Sequence, residues 1–169
     1  PSRLADIPEE VLRAAIHEMH KDWNWAQAVV DLIKQRAGLL VERTPGIFTF
    51  PHGTFQEYLA GAHLSTQNDF AESAPSLFEG ANRGEWDVPL ILAVGRLVHW
   101  VGLADRALAL VGQLCPEAVH DTAQAWHQAW VAGEALVETG AGRVARSPLG
   151  RDLLARVRAR LRELVERGP

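Results

Sequence analysis

The 169-residue chain has one cysteine, one methionine and one tyrosine. A single thiol, Cys115, excludes an internal disulfide and fits a reducing compartment, so a cytoplasmic location is expected. It lies at the end of an apolar helical stretch, where an inert buried thiol is the ordinary reading. No apolar run approaches about 18 residues, so no membrane span is expected. No G-x-x-x-x-G-K-[ST] motif occurs, so ATP hydrolysis by this chain alone is not expected. Ser65 and Ser147 sit in no nucleophile motif. His17 and His20 are three apart and His120 and His127 seven apart, but no cysteine or carboxylate cluster completes a zinc set around either pair. The start, Pro1-Ser2-Arg3-Leu4, lacks a signal-peptide core and an initiator methionine, which reads as an excised fragment or a processed product. Charge is modest, 17 basic against 21 acidic residues for a net of −4, which does not suggest a general nucleic-acid binder.

Apolar residues at 47% place the chain among globular proteins. Strand-like runs occur only near residues 39–50, so the fold class is mostly α. The pattern predicts a helix from Pro8 to His20 with a stripe of Val11, Leu12, Ala15, Ile16 and Met19. Asn24 is the expected cap of a second helix, to about Ala37, with Ala26, Val29, Val30 and Ile33 inside. Gly38 is its stop. Leu39–Glu42 and Ile47–Phe50 read as two strands joined by a type II turn at Pro45-Gly46. Two helices, a hairpin and a further helix follow the order of a winged helix, assigned to residues 1–68.

Residues 69–83 are polar and read as a linker with a short helix around Leu77. Residues 84–169 read as a helical domain. Gly84 to Trp100 is apolar on most sides, with Pro89 in the first turn. Leu103–Leu114 and Glu117–Glu138 follow as helices, Trp126 and Trp130 sharing one face as packing anchors. Thr139–Gly142 reads as a loop. Ser147 caps a last helix with Pro148 at its first position. Its stripe is Leu153, Leu154, Val157, Leu161, Leu164 and Val165. From Arg143 onward eight arginines face three acids, a basic run more simply read as a solvated helix face with its stems along apolar surface.

The chain is organised around Ile47-Phe48-Thr49-Phe50-Pro51-His52-Gly53-Thr54-Phe55-Gln56-Glu57-Tyr58-Leu59-Ala60. Pro51 and Gly53 end the strand. Thr54 with Glu57 forms the pattern of a capping box. His52 therefore stands just before a helix N-terminus, where free N–H groups and the macrodipole attract anions. A solvent-facing histidine with only local bonds is the plain alternative.

Phe50, His52, Thr54, Phe55, Gln56, Glu57, Tyr58 and Ala60 resemble a signature of NACHT-type STAND NTPases, a group that includes bacterial antiviral sensors and animal innate-immune receptors. The resemblance is specific over about Leu32 to Leu64 and weaker through Glu85–Trp100. It implies a winged helix following a P-loop ATPase core, with ADP or ATP and Mg bound by that core and no cofactor in this chain. It implies that His52 touches the ADP β-phosphate in the inactive state, with Thr54 and Glu57 as the supporting cap. It also implies partners: the ATPase core of the same protein, further copies in an oligomer, and a sensor or effector domain of unspecified kind. Two positions depart from the pattern: Gly53 replaces a larger residue, and Gly61 stands where a second alanine is common.

Two other functions fit the same elements: a stand-alone helical protein-interaction module, and a DNA-binding winged helix. A DNA reader needs cations facing phosphates. Residues 1–90 carry 13 acidic and 7 basic residues, a net of −6, so nucleic acid is not the expected partner.

Overall fold

A computed structural model describes residues 5–36, 38, 40–79, 83–118 and 121–167, without the side chains of 83 and 167. The expected positions of Ala37, Leu39 and His120 lie outside these. Helices dominate, with one small antiparallel sheet of strand order β1-β3-β2. The chain divides into two compact units, residues 1–56 and 57–169.

In the first unit β1 (Ile7–Pro8) leads directly into α1 (Glu9–His20), and α2 (Trp23–Arg36) follows. Pro8 ends the strand instead of opening the helix, and Glu9 and Glu10 occupy the positive first turn. Only Ile16 of the expected α1 stripe is buried, with Leu12 packed beside it, while Val11 is 54% and Met19 74% exposed. A sheet of three strands only two to four residues long is too small to cover more of the helix. The cap of α2 is Asp22, not Asn24: Asp22 Oδ1 accepts from the N–H groups of Asn24 at 2.8 Å and Trp25 at 3.2 Å. The helix starts two residues earlier than expected, so Asn24 is already inside its first turn.

β2 (Val41–Thr44) and β3 (Ile47–Thr49) form the hairpin. Gly46, at φ +76°, supplies the left-handed turn position. Arg43 is the extra residue of a bulge between Glu42 and Thr44. β3 is the central strand, pairing Ile47 and Phe48 with Pro8 and Ile7 of β1. Phe48, fully buried, gathers Ile16, Ala26, Val30 and Leu40 into the core of this unit.

α3 (Gly53–Thr66) enters the second unit, followed by α4 (Phe70–Ser73) and a 3₁₀ turn over Ala74–Phe78. The stretch expected to be a linker contributes core: Phe70, Ala71, Ala74 and Phe78 are all buried. Its polar residues mask four apolar positions at helical spacing. α5 (Asp87–Gly95) runs on into a π-helical turn, Arg96–Val101, that stops at Gly102 with φ +78°. α6 spans Ala104–Leu114.

α7 spans Ala123–Thr139, six residues shorter at its start than expected, because Thr122 caps it by accepting from the N–H of Ala125 at 3.1 Å. The expected loop after it holds a further helix, α8 (Ala141–Arg146). α9 spans Pro148–Arg167, and Ser147 Oγ accepts from the Gly150 N–H at 3.2 Å as its cap. α7 is the centre of this unit, packing on α5, α6 and α9. Leu90, Leu97, Leu108, Leu110, Leu114 and Leu153 fill the core. Of the expected α9 stripe, Leu153 and Val157 are buried, and Val165 is exposed.

Candidate functional site at the junction of wing and helix

The hairpin delivers the chain to Pro51, and α3 begins at Gly53. His52 is therefore the residue at the mouth of a 14-residue helix. Its carbonyl accepts from the Phe55 N–H at 3.1 Å, which closes the first turn. The geometry of a helix start leaves the N–H groups of Gly53 and Thr54 without intrahelical acceptors. The His52 ring is exposed and stands 6.1 Å, centroid to centroid, from the ring of Phe55. Free N–H groups, the positive end of the macrodipole and one imidazole thus share a small exposed patch suited to an anion.

Thr54 sits inside the helix, not at its cap, because the helix takes in Gly53. Thr54 is exposed and Glu57 half-buried. The turn is tied down by Gln56 instead, whose Oε1 accepts from the Ala5 N–H at 2.9 Å. That bond joins the helix start to the residues leading into β1, which the central strand β3 also holds. Three residues before His52, Thr49 Oγ1 is buried with no hydrogen-bond partner among the described residues.

Other described histidines make ring or polar contacts within their own unit. His17 stacks on Trp23 at 3.9 Å, and His20 lies 4.1 Å from Trp25. His127 Nε2 meets Asp87 Oδ2 at 2.8 Å and its ring stands edge-on to Phe78 at 5.4 Å. This pair joins α5 to α7 across 40 positions of sequence, so no local pattern announces it. Among the described residues no group of three or more His, Cys, Asp or Glu side chains is placed to hold a metal. Burial raises the Cys115 thiol above its ordinary range, against a smaller opposing pull from Arg160 and Arg156. Alkylation of Cys115 at pH 8 is therefore expected to be slow in the folded chain and fast after urea; equal rates measured by mass spectrometry would refute its burial.

The face that a DNA reader would present is already engaged. On α2, Lys34 Nζ meets Glu9 Oε2 at 2.7 Å, and this bond lowers the Glu9 carboxyl and raises the Lys34 amine. Gln27 accepts from Arg13 at 3.2 Å and donates to Asp31 at 3.1 Å. On the wing, Arg43 stands 3.7 Å from Asp6. Cations held by acids within the same unit have little to offer a phosphate backbone.

Tryptophans 126 and 130 differ in role although they share a helix. Trp126 is half-buried with the Arg160 guanidinium 5.0 Å above its ring. Trp130 is 56% exposed and is not a packing anchor. Within the described residues no helix is long and apolar enough to cross a membrane.

No curated protein and no solved structure matches the chain. A family model does match, over residues 5–64, which runs from the approach to β1 to the last turns of α3. Residues 5–64 match the model of the winged helix-turn-helix domain C-terminal to NACHT.

Proposed function

We propose that this chain is a regulatory part of a NACHT-type ATPase. Its winged helix contacts the ATPase core of the same protein, and His52 donates to the β-phosphate of ADP in the inactive state. The single observation that carries the reading is the exposed His52 at the mouth of α3, inside a segment matched by the family model. The residues present fit such a contact: one imidazole and the first N–H groups of a helix are donors, and among the described residues no acid pairs with that ring. The nucleotide would be held chiefly by the core, and this chain would add one polar contact to it.

Such a contact can act as a switch. A ligand biases two conformations only through its differential affinity for them. One charge-assisted hydrogen bond, present with ADP and absent otherwise, is worth about 1.5–3 kcal/mol. That shifts an equilibrium by roughly ten- to a hundredfold at 1.36 kcal/mol per decade. The helical region would then relay the change to a sensor, an effector or further copies. His52→Ala in the full-length protein is expected to raise basal activity and to speed ADP release, while the melting curve of the 169-residue chain stays unchanged because the ring packs on little. Unchanged ADP retention and unchanged basal activity would count against the assignment.

A further inference from the structure

The second unit contains an open groove of about 580 Å³ between α7, α8 and α9. One wall is Trp130 and Val137 of α7; the other is Leu154, Arg158 and Leu161 of α9. On each wall the apolar residues are seven apart, two helical turns or about 10 Å. The floor is closed at Gly133, where the missing side chain lets α9 come close: a Cβ there would lie 3.3 Å from Leu161 Cδ1. The α7 lip is left in water, with Trp130 56% and Val137 77% exposed. Exposed apolar side chains rimming a concave apolar surface mark an interaction site more often than a neutral surface.

Arg158 lines the α9 wall of this groove, and further exposed arginines stand on α8 and α9 outside its lining. Arg158 and Arg162 are four apart and exposed on α9, so they stand on one face of that helix. Arg143 and Arg146 are exposed on α8. Other arginines of α9 are used internally: Arg156 donates to the Cys115 carbonyl and to Glu117, each at 3.1 Å, and Arg160 to Glu163 at 3.3 Å. Arg158 and Arg162 have no ion-pair partner among the described residues. Among the described residues the one acid in the lining is Glu134, on the opposite lip.

We infer that this groove receives an amphipathic helix of a partner protein, with apolar residues at i, i+3 or i+4 and i+7 and carboxylates along the edge that faces α9. Two parallel walls two turns long fit the ridge of a helix. A small acyl ligand fits less well, since it would leave the Trp130 and Val137 lip in water, whereas an enclosing pocket covers most of a small ligand's surface. The basic edge chooses the sign of the partner and the orientation in which it lies.

The test uses the intact 169-residue chain and two designed 18-residue helical peptides. They share one leucine stripe and differ only in carrying Glu or Lys on the flank. Fluorescence polarisation is expected to show at least tenfold tighter binding of the Glu peptide. Val137→Asp, a change at an exposed site that leaves the thermal melt in place, is expected to weaken it at least tenfold. Arg158→Glu with Arg162→Glu is expected to invert the preference towards the Lys peptide. Equal binding of the two peptides, binding indifferent to Val137→Asp, or displacement of a fluorescent fatty acid with no peptide binding would each overturn the inference.

Discussion

Phe48→Ala is expected to unfold the winged helix while leaving the helical unit intact. Phe48 is fully buried and central to both its sheet and its core: it pairs with Ile7 and Glu42 on either side and packs among Ile16, Ala26, Val30 and Leu40. Truncating a buried phenylalanine costs about 3–5 kcal/mol through lost burial and the cavity left behind. A unit of this size holds only about 3–8 kcal/mol at roughly 0.05–0.15 kcal/mol per residue. The loss is therefore comparable to the whole. Hydrogen exchange read by mass spectrometry should find amides of β3 and α2 exchanging without protection, with those of α6 and α7 still slow. A shift of less than about 1 kcal/mol in β3 would mean that Phe48 is not the centre of this core.

The same variant separates fold from function at the candidate site. His52 is exposed, so under the proposed function replacing it removes only the phosphate contact and leaves the scaffold standing. Phe48 is fully buried in the core of its unit, so replacing it removes the scaffold. In the full-length protein both changes are expected to loosen ADP, but only Phe48→Ala should also make the wing sensitive to protease. Equal protease sensitivity in the two variants would assign His52 a structural role.

The hairpin, α3 and the last helix were legible because each carries a local signal. Pro45-Gly46 encodes its turn, Ser147-Pro148 encodes its helix start, and the motif from Phe50 to Ala60 encodes the junction with His52. What local signals missed depends on distance or on competition. β1 is two residues long and exists only because β3 offers it an edge. Asp22 displaced Asn24 as the cap of α2 because both residue types suit the position and tertiary packing chose the earlier start. The core role of Phe70 to Phe78 hid among polar neighbours, and the Asp87–His127 bond spans 40 positions. At the junction the placement of His52 at the helix mouth was legible, whereas Thr54 lies inside the helix and Gln56 holds the turn. The groove was not legible at all, since it needs α7, α8 and α9 together and α8 had read as loop.

Two glycines inside helices are expected to respond to alanine with opposite sign. Gly61, on α3, looks like a loosened form of the alanine that usually follows in the motif. Its surroundings give a different reason: a Cβ at this position would lie 2.6 Å from the Pro89 carbonyl oxygen, 2.9 Å from Leu92 Cβ and 3.2 Å from the Ala93 nitrogen. These are backbone and Cβ atoms of α5, which cannot swing aside as a side-chain tip can. Gly61→Ala thus forces α3 and α5 apart at a cost of about 1–3 kcal/mol, offset by up to about 1 kcal/mol of helix propensity. Gly61→Val adds bulk at the same point without that offset and is expected to cost more than 3 kcal/mol. Gly112, inside α6, has room: its nearest neighbour would be Leu153 Cδ2 at 3.7 Å, an ordinary contact. Gly112→Ala is expected to stabilise by about 0.5–1 kcal/mol, through propensity and a less flexible unfolded chain. At roughly 2–4 °C per kcal/mol for a chain of this length, calorimetry should place the Gly61→Ala melt below the parent and the Gly112→Ala melt above it. A rise in both would show that α3 and α5 are not in backbone contact at Gly61, and a fall in both would show that α6 and α9 are closer at Gly112 than 3.7 Å allows.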